Sequence, residues 1–535
     1  MPDASKHDLP PAAGIQPARQ RWFLRMLPLR GWLLGLLLAL MCADYTFVAT
    51  AGKFSTLKWR THTYDLAVEG FRQGHLYLPI QPSPKLLALD DPFDFDNEPL
   101  WLWDASLYGG HYYFYWGPVP ALCLWAFKFV TGYASVVDDQ WLVLFFMIGR
   151  LFAGAALIWS IAARLGRSVP AWAVLLAIAM FGLASPTPYF LVRPLIYEAS
   201  IAAGQCFLFW GLVAALWGLI RRDLQLPLFA LASAAWGLAL ASRGSMILVA
   251  PLLVVITWWS ALRYPPRMAA GQRGGAVRHA LTVLLALGVP LGLCLGAHAW
   301  YNYARFDSVT EFGLNYQLTG RQVTYENGFI LPNLFSYFGA RLRWSCLFPF
   351  VDIALKRNLS PLISWPGDYD PGDYENGEHA AGILSATPFV WLIGFWLVRL
   401  ARRALRERVV PRPDRDRFVN LERWFLLCAC ALCVTMFPAL RMYMATMRYL
   451  QDFASAWLLI AMLAGFWLVG TTNHARSRPK VRAGSALFAV LALHTIAVGS
   501  LLGFRGQSNN FRRENSELFF DLQDQLSVCQ YSERR

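Results

Sequence analysis

Thr63-Tyr64-Asp65-Leu66-Ala67-Val68-Glu69-Gly70-Phe71-Arg72-Gln73-Gly74-His75-Leu76-Tyr77-Leu78-Pro79 opens a polar stretch in an otherwise apolar chain. That stretch, residues 51–139, continues through Asp90-Asp91-Pro92-Phe93-Asp94-Phe95-Asp96-Asn97-Glu98. It then reaches the aromatic run Tyr108-Gly109-Gly110-His111-Tyr112-Tyr113-Phe114-Tyr115-Trp116-Gly117-Pro118. One apolar segment precedes it and at least nine follow. Connections of this length are usually functional or disordered, and this one is too aromatic for disorder. It reads as a shaped, working loop set directly after the first membrane span.

The flanking segments fix the fold class. Of 535 residues, 56% are hydrophobic and only 15% charged, too apolar for a soluble domain of this length. Spans are expected at about 31–50, 140–163, 170–186, 199–220, 226–242, 245–262, 280–298, 384–400, 424–440, 450–470 and 484–503. The expected fold is an all-α polytopic membrane protein of about eleven transmembrane helices. A segment 1–30, the transmembrane domain 31–503 and a tail 504–535 divide the chain. The N-terminal arginines before an apolar run resemble a signal peptide, but the run is long enough for a retained anchor.

The net charge of +14 does not signal nucleic acid, because most Lys and Arg sit in short loops beside spans. Arg164 and Arg167, Arg221 and Arg222, Arg263 to Arg278, Arg402 to Arg423 and Arg476 to Arg482 share one side with the N-terminus. That side is expected to be the cytoplasm. The large loops 51–139 and 299–383, the turn 187–198 and the tail then face outward. Residues 118–131 are apolar but short and carry Lys128, as expected for a helix lying in the outer interface. The cysteines form no metal spacing. Cys428, Cys430 and Cys433 suit packing within a span, and Cys346 and Cys529, both on the outer side, are open to a disulfide.

Several ionisable groups invite chemistry. Asp65 and Glu69 stand four apart and share a helical face. There a carboxylate can take a proton from an acceptor, and a solvated surface pair is the plainer alternative. Arg193 and Glu198 flank the second outer turn, where such groups either snorkel or line a polar cavity. Arg243 interrupts an apolar hairpin, a costly place unless it faces a cavity or an anion. Arg441 and Arg448 lie on the side poor in positive charge. Guanidinium groups there suit phosphate oxygens or pair with Asp452 and the acidic loops. Tyr108, Tyr112, Tyr113 and Trp116 are candidates for stacking on sugar, against the simpler role of interface anchoring. Asp368, Asp370, Asp373, Glu375 and Glu378 fit no calcium loop and read as a solvated acidic turn.

In order of parts, residues 31–262 resemble the GT-C superfamily of membrane glycosyltransferases. The likeness is to the branch holding the protein O-mannosyltransferases and the lipid A aminoarabinose transferase. Tyr64-Asp65 with Gly74-His75-Leu76-Tyr77-Leu78-Pro79 matches the catalytic outer helix. Gly117-Pro118-Val119-Pro120 matches the interfacial segment, Arg150 the second span's arginine, Glu198 the second acid, and Arg243-Gly244 the broken hairpin. The chain departs in having Leu66 after Asp65, where the family has adjacent acids, and Glu at the second site. The resemblance implies a polyprenyl-phosphate sugar donor and a lipid or cell-envelope glycan acceptor at the outer face of the plasma (inner) membrane. It also implies Asp65 as the acceptor's base, supported by Glu69 and Glu198, and Arg193, Arg243, Arg441 and Arg448 as phosphate ligands. Cofactor use stays open between none and a divalent metal ion. A transporter or flippase of lipid-linked sugars, a GT-C glycan ligase and a catalytically inactive assembly subunit are the competing expectations.

Overall fold

The computed structural model describes residues 27–165, 168–263, 273–319, 325–354, 374, 377–398, 416–470 and 478–529. The chain is an all-α polytopic membrane protein. Among the described residues, ten helical segments are long and apolar enough to cross a bilayer. The first is α1 (Leu27–Ala49); α2 (Thr63–Arg72) and α3 (Val119–Thr131) lie in the first large loop. Next come α4 (Asp139–Arg164), α5 (Ala171–Leu183), α6 (Ile196–Ile220), α7 (Gln225–Ser242), α8 (Val249–Leu262) and α9 (Arg273–Phe306). The last spans are α10 (Asp416–Leu432), α11 (Met447–Val469) and α12 (Arg478–Gly503), and α13 (Ser516–Leu526) ends the tail.

The expectation of eleven differs from ten at 384–400. There the apolar helix stops at Pro388–Val398, and 399–415 lie outside the described residues.

α6 is the central post, packed on both α4 and α7. Lipid tails are as apolar as leucine, so such helices associate through close packing of small residues. Ala199, Ala202, Ala203, Ala214 and Ala215 of α6 are buried for this reason. Gly211 is the tightest case, since a Cβ there would lie 2.4 Å from the Trp236 indole nitrogen. α9 is the contrast, with most of its apolar surface outside the bundle, as suits a lipid-facing helix.

The two large loops interlock on one face. Strands β1 (Ser106–Tyr108) and β2 (His111–Tyr113) form a hairpin in the first. Strands β3 (Leu342–Trp344) and β4 (Val351–Ile353) form one in the second. Ser106 Oγ donates to Gly313 O at 2.8 Å, and Leu318 N to Ala105 O at 2.8 Å. The tail seals the edge. Asn515 Nδ2 donates to Ala51 O at 2.9 Å, and Cys346 is disulfide-bonded to Cys529. As expected, α3 is a short apolar helix with Phe129 and Val130 strongly exposed, and the tail carries a helix whose Phe519 is buried.

Candidate active site at the loop face

Four segments bring charge together at the loop end of the bundle. The turn before α6 supplies Arg193, and the first turn of α6 supplies Tyr197 and Glu198. The second loop supplies Glu378, and the start of α11 supplies Arg448, Tyr449 and Asp452. Arg193 Nη1 lies 3.6 Å from Glu198 Oε1 and 3.9 Å from Glu378 Oε1. Arg448 Nη2 reaches Glu378 Oε1 at 2.8 Å. Gln507, from the tail, donates to the same oxygen. Glu198 is only 2% exposed, and burial at that level is tolerated when charge is paired.

Arg243 forms the second centre. α7 ends at Ser242, and Arg243 is extended (φ −143°, ψ 113°) before a short helical turn leads into α8. The break frees its side chain to reach Asp452 Oδ2, with Nη2 at 3.2 Å and Nε at 3.3 Å. Ser245 Oγ lies 3.4 Å from the same oxygen. The Arg243 and Arg448 guanidinium carbons sit 5.4 and 5.7 Å from the Tyr449 ring, so the two centres flank one aromatic side chain.

Aromatic groups roof this cluster. Arg448 lies 4.5 Å over the Tyr197 ring, and Trp116 meets Tyr197 edge-on at 4.9 Å. Tyr115 stacks on Trp116 at 4.1 Å. Gly117 permits this approach, because a Cβ there would fall 1.8 Å from Ala241 O. Asp104 completes the rim from the first loop. Its backbone is left-handed (φ 65°), and its Oδ1 accepts from Gln317 Nε2 at 3.1 Å. Burial raises its carboxyl above the ordinary range, and hydrogen bonding from Tyr197 and the charge of Arg448 pull it part-way back.

The cluster is therefore a group of guanidinium side chains, each held in place by a carboxylate and backed by rings. Such groups can exchange a carboxylate for phosphate oxygens at little geometric cost. Among the described residues no three His, Cys, Asp or Glu side chains gather where a metal ion can sit.

No family model matches the chain, and no curated protein does. Solved structures do. The Archaeoglobus fulgidus oligosaccharyltransferase in the apo form aligns at 14% identity and TM-score 0.46, covering 96% of this chain and 62% of that one. The same enzyme tethered to an acceptor peptide with the NVT sequon aligns at 14% identity and TM-score 0.44, with 96% and 60% covered. The archaeal oligosaccharyltransferase AglB from the same organism, in complex with an inhibitory peptide and a dolichol-phosphate, aligns at 12% identity and TM-score 0.46, with 96% and 61% covered. The chain spans about three fifths of the length of these structures.

Of the residues singled out in the sequence, Glu198, Arg193, Arg243, Arg448 and Trp116 converge around Tyr197 and Tyr449. The others sit elsewhere. Asp65 forms an ion pair with Lys128 of α3, both side chains largely buried. Glu69 is turned to solvent, 3.9 Å from Arg72 and accepting from Gln73 Nε2 at 2.8 Å, so the two acids make no joint site. Arg441 clamps the second loop, donating to Tyr325 O at 3.3 Å. Tyr108 donates to Asp307 at 2.9 Å, and its ring lies 4.7 Å from Tyr316. Tyr113 packs on Phe306 at 5.4 Å, and Tyr112 is buried under the hairpin. Tyr108 and Tyr113 join the two loops.

Glu378 and Asp452 proved to be the pairing acids. Glu378 stood in a row of similar acids, of which Asp368, Asp370, Asp373 and Glu375 lie outside the described residues. Asp452, four residues after Arg448, pairs with Arg243 instead. Asp104 carried no sequence signal, since its role depends on a backbone angle and on a loop contact 213 residues away.

Proposed function

We propose that this protein is a GT-C-type membrane glycosyltransferase. It would move a sugar from a polyprenyl-phosphate donor to a lipid or cell-envelope glycan acceptor. The observation that carries this reading is the meeting of Arg193 and Arg448 on Glu378, with Arg243 across the Tyr449 ring. A lipid phosphate lies at the membrane boundary, and these groups stand at the loop-side ends of the apolar helices α6, α7 and α11. Arg448, Arg193 and Arg243 would hold it and stabilise the negative charge that grows as the sugar leaves. A carboxylate of the first loop would take the proton of the incoming hydroxyl.

The loop face is assigned to the extracytoplasmic side of the plasma (inner) membrane, with the N-terminus in the cytoplasm. The Cys346–Cys529 disulfide supports this, since such bonds persist in oxidising compartments. The concentration of arginine in the opposite loops supports it too.

The test uses purified full-length protein in lipid vesicles with polyprenyl phosphate carrying radiolabelled hexoses, and envelope membranes as acceptor. Transfer by the wild type, lost in Arg448→Gln, is expected. One observation favours a second reading, transport of lipid-linked sugar. Arg150 lies deep in α4, 2% exposed, with Ser455 Oγ at 2.6 Å from Nη2 and the Phe181 ring at 4.2 Å. Charged groups at such depth often mark transport paths. Movement of the labelled lipid across the vesicle without transfer would establish that reading instead.

A further inference from the structure

The carboxylates of α2, of the arginine cluster and of its rim differ in their partners. Asp65 is ion-paired with Lys128, Glu198 with Arg193, Glu378 with Arg448 and Arg193, and Asp452 with Arg243. A carboxylate neutralised by a contacting cation is a weakened proton acceptor. Asp104 differs, because among the described residues no cation lies within ion-pair distance of it. The group on its Oδ1 is a neutral amide, Gln317. The Tyr197 hydroxyl also faces it, and Arg448 and Arg193 act on it from further off.

Its backbone adds a second, independent observation. Asp104 holds a left-handed φ of 65°, a conformation that L side chains adopt only at a cost. The backbone at Asp104 and at Ala105 is pinned to the second loop. Asp104 N donates to Leu318 O at 2.9 Å, and Leu318 N to Ala105 O at 2.8 Å. The two loops thus aim this carboxylate toward Tyr197 and the arginine cluster.

Resting on the glycosyltransferase reading, we infer that Asp104 is the group that receives the acceptor's proton. The acceptor hydroxyl approaches the Asp104 carboxylate. Its O–H bond breaks with the proton passing to Asp104, and its oxygen bonds to the anomeric carbon of the donor sugar. The bond from that carbon to phosphate breaks, and the electron pair leaves on the phosphate oxygen facing Arg448 and Arg193. Asp65, clamped by Lys128, then fixes α2 against α3.

The experiment compares wild type, Asp104→Asn, Asp104→Gly and Asp65→Asn as full-length proteins in vesicles. Asn and Gly both accept a left-handed backbone, so each variant keeps the turn, and thermal melting confirms folding. Polyprenyl phosphate alone is the binding probe, and labelled polyprenyl-phosphate hexose with envelope membranes reports transfer. Both Asp104 variants are expected to bind the lipid phosphate as wild type does, and to lose kcat by about 100-fold or more, the usual worth of a positioned base. Asp65→Asn is expected to keep the larger share of transfer. Transfer by Asp104→Asn within about threefold of wild type, well short of a base's usual worth, would overturn the inference and leave the glycosyltransferase reading standing. A wild type that neither binds polyprenyl phosphate nor transfers sugar would overturn both.

Discussion

Asp452 is buried, and its Oδ2 takes contacts from Arg243 and Ser245. Removing the acid strands a guanidinium among helices, which costs roughly 3–5 kcal/mol for a buried pair. Asp452→Ala should therefore lower the melting temperature sharply, and Asp452→Ala with Arg243→Met should recover part of the loss. Equal melting of the single and double variants would mean the pair carries no coupling. Asp104 yields a pH prediction. Burial raises its carboxyl above 3.8, so the folded protein holds that proton more tightly than the unfolded chain. Its contribution to stability is then greatest at low pH and is lost as pH rises through the raised value. Activity that needs the ionised form runs the other way, falling as pH drops through that value. An acid limb at or below the ordinary carboxylate value, unchanged in Asp104→Asn, would contradict this. At this scale the sequence exposed the arginines, because charge at the ends of apolar runs is conspicuous. It offered Asp452 and the acidic loops as alternative partners without assigning them, since Glu378 and Asp452 meet Arg448 and Arg243 only through tertiary contacts.

The helix α2 shows how an element can be legible while its orientation is not. The spacing of Asp65 and Glu69 predicts a shared face, and the helix is there. Its docking decides which groups work. The Asp139 carboxylate, at the start of α4, accepts from Thr63 N at 3.0 Å, Tyr64 N at 3.1 Å and Thr61 Oγ1 at 2.6 Å. His62, the residue at the cap position, makes no side-chain cap. A residue from another helix therefore does the capping. Asp139→Ala should destabilise by about 1 kcal/mol or more, as lost caps do, and should raise amide exchange across Thr63 to Arg72 before other elements. Uniform exchange through the loop would show that the cap holds nothing. Lys128→Met tests the same docking from α3. Leaving Asp65 largely buried without its cation should destabilise more than Lys128→Met with Asp65→Leu. The spans themselves were plain in the sequence, because lipid requires unbroken apolar helices. So was the interruption at Arg243, where a charge enters an apolar hairpin.

Across the whole molecule, loops and tail form one sealed face. Glu514 accepts from Lys58 N and Trp59 N at 2.9 and 3.2 Å, and Arg505 pairs with Asp352. The sequence predicted which segments share a side, since alternating crossings follow from charge bias. It could not predict that Tyr108 and Tyr113 would be absorbed in joining two loops, because Asp307 and Phe306 lie far along the chain. Gly117→Ala probes the assembled packing, since its added methyl would strike the Ala241 carbonyl. Overpacking of this kind costs about 1–3 kcal/mol, and activity should fall with stability as Trp116 is displaced from Tyr197. The bond between Cys346 and Cys529 joins positions 183 residues apart, making a hoop of everything between them. A protease that nicks the hoop once releases no fragment. The cleaved protein would migrate as a single species on a gel until a thiol is added, and only then fall into two pieces.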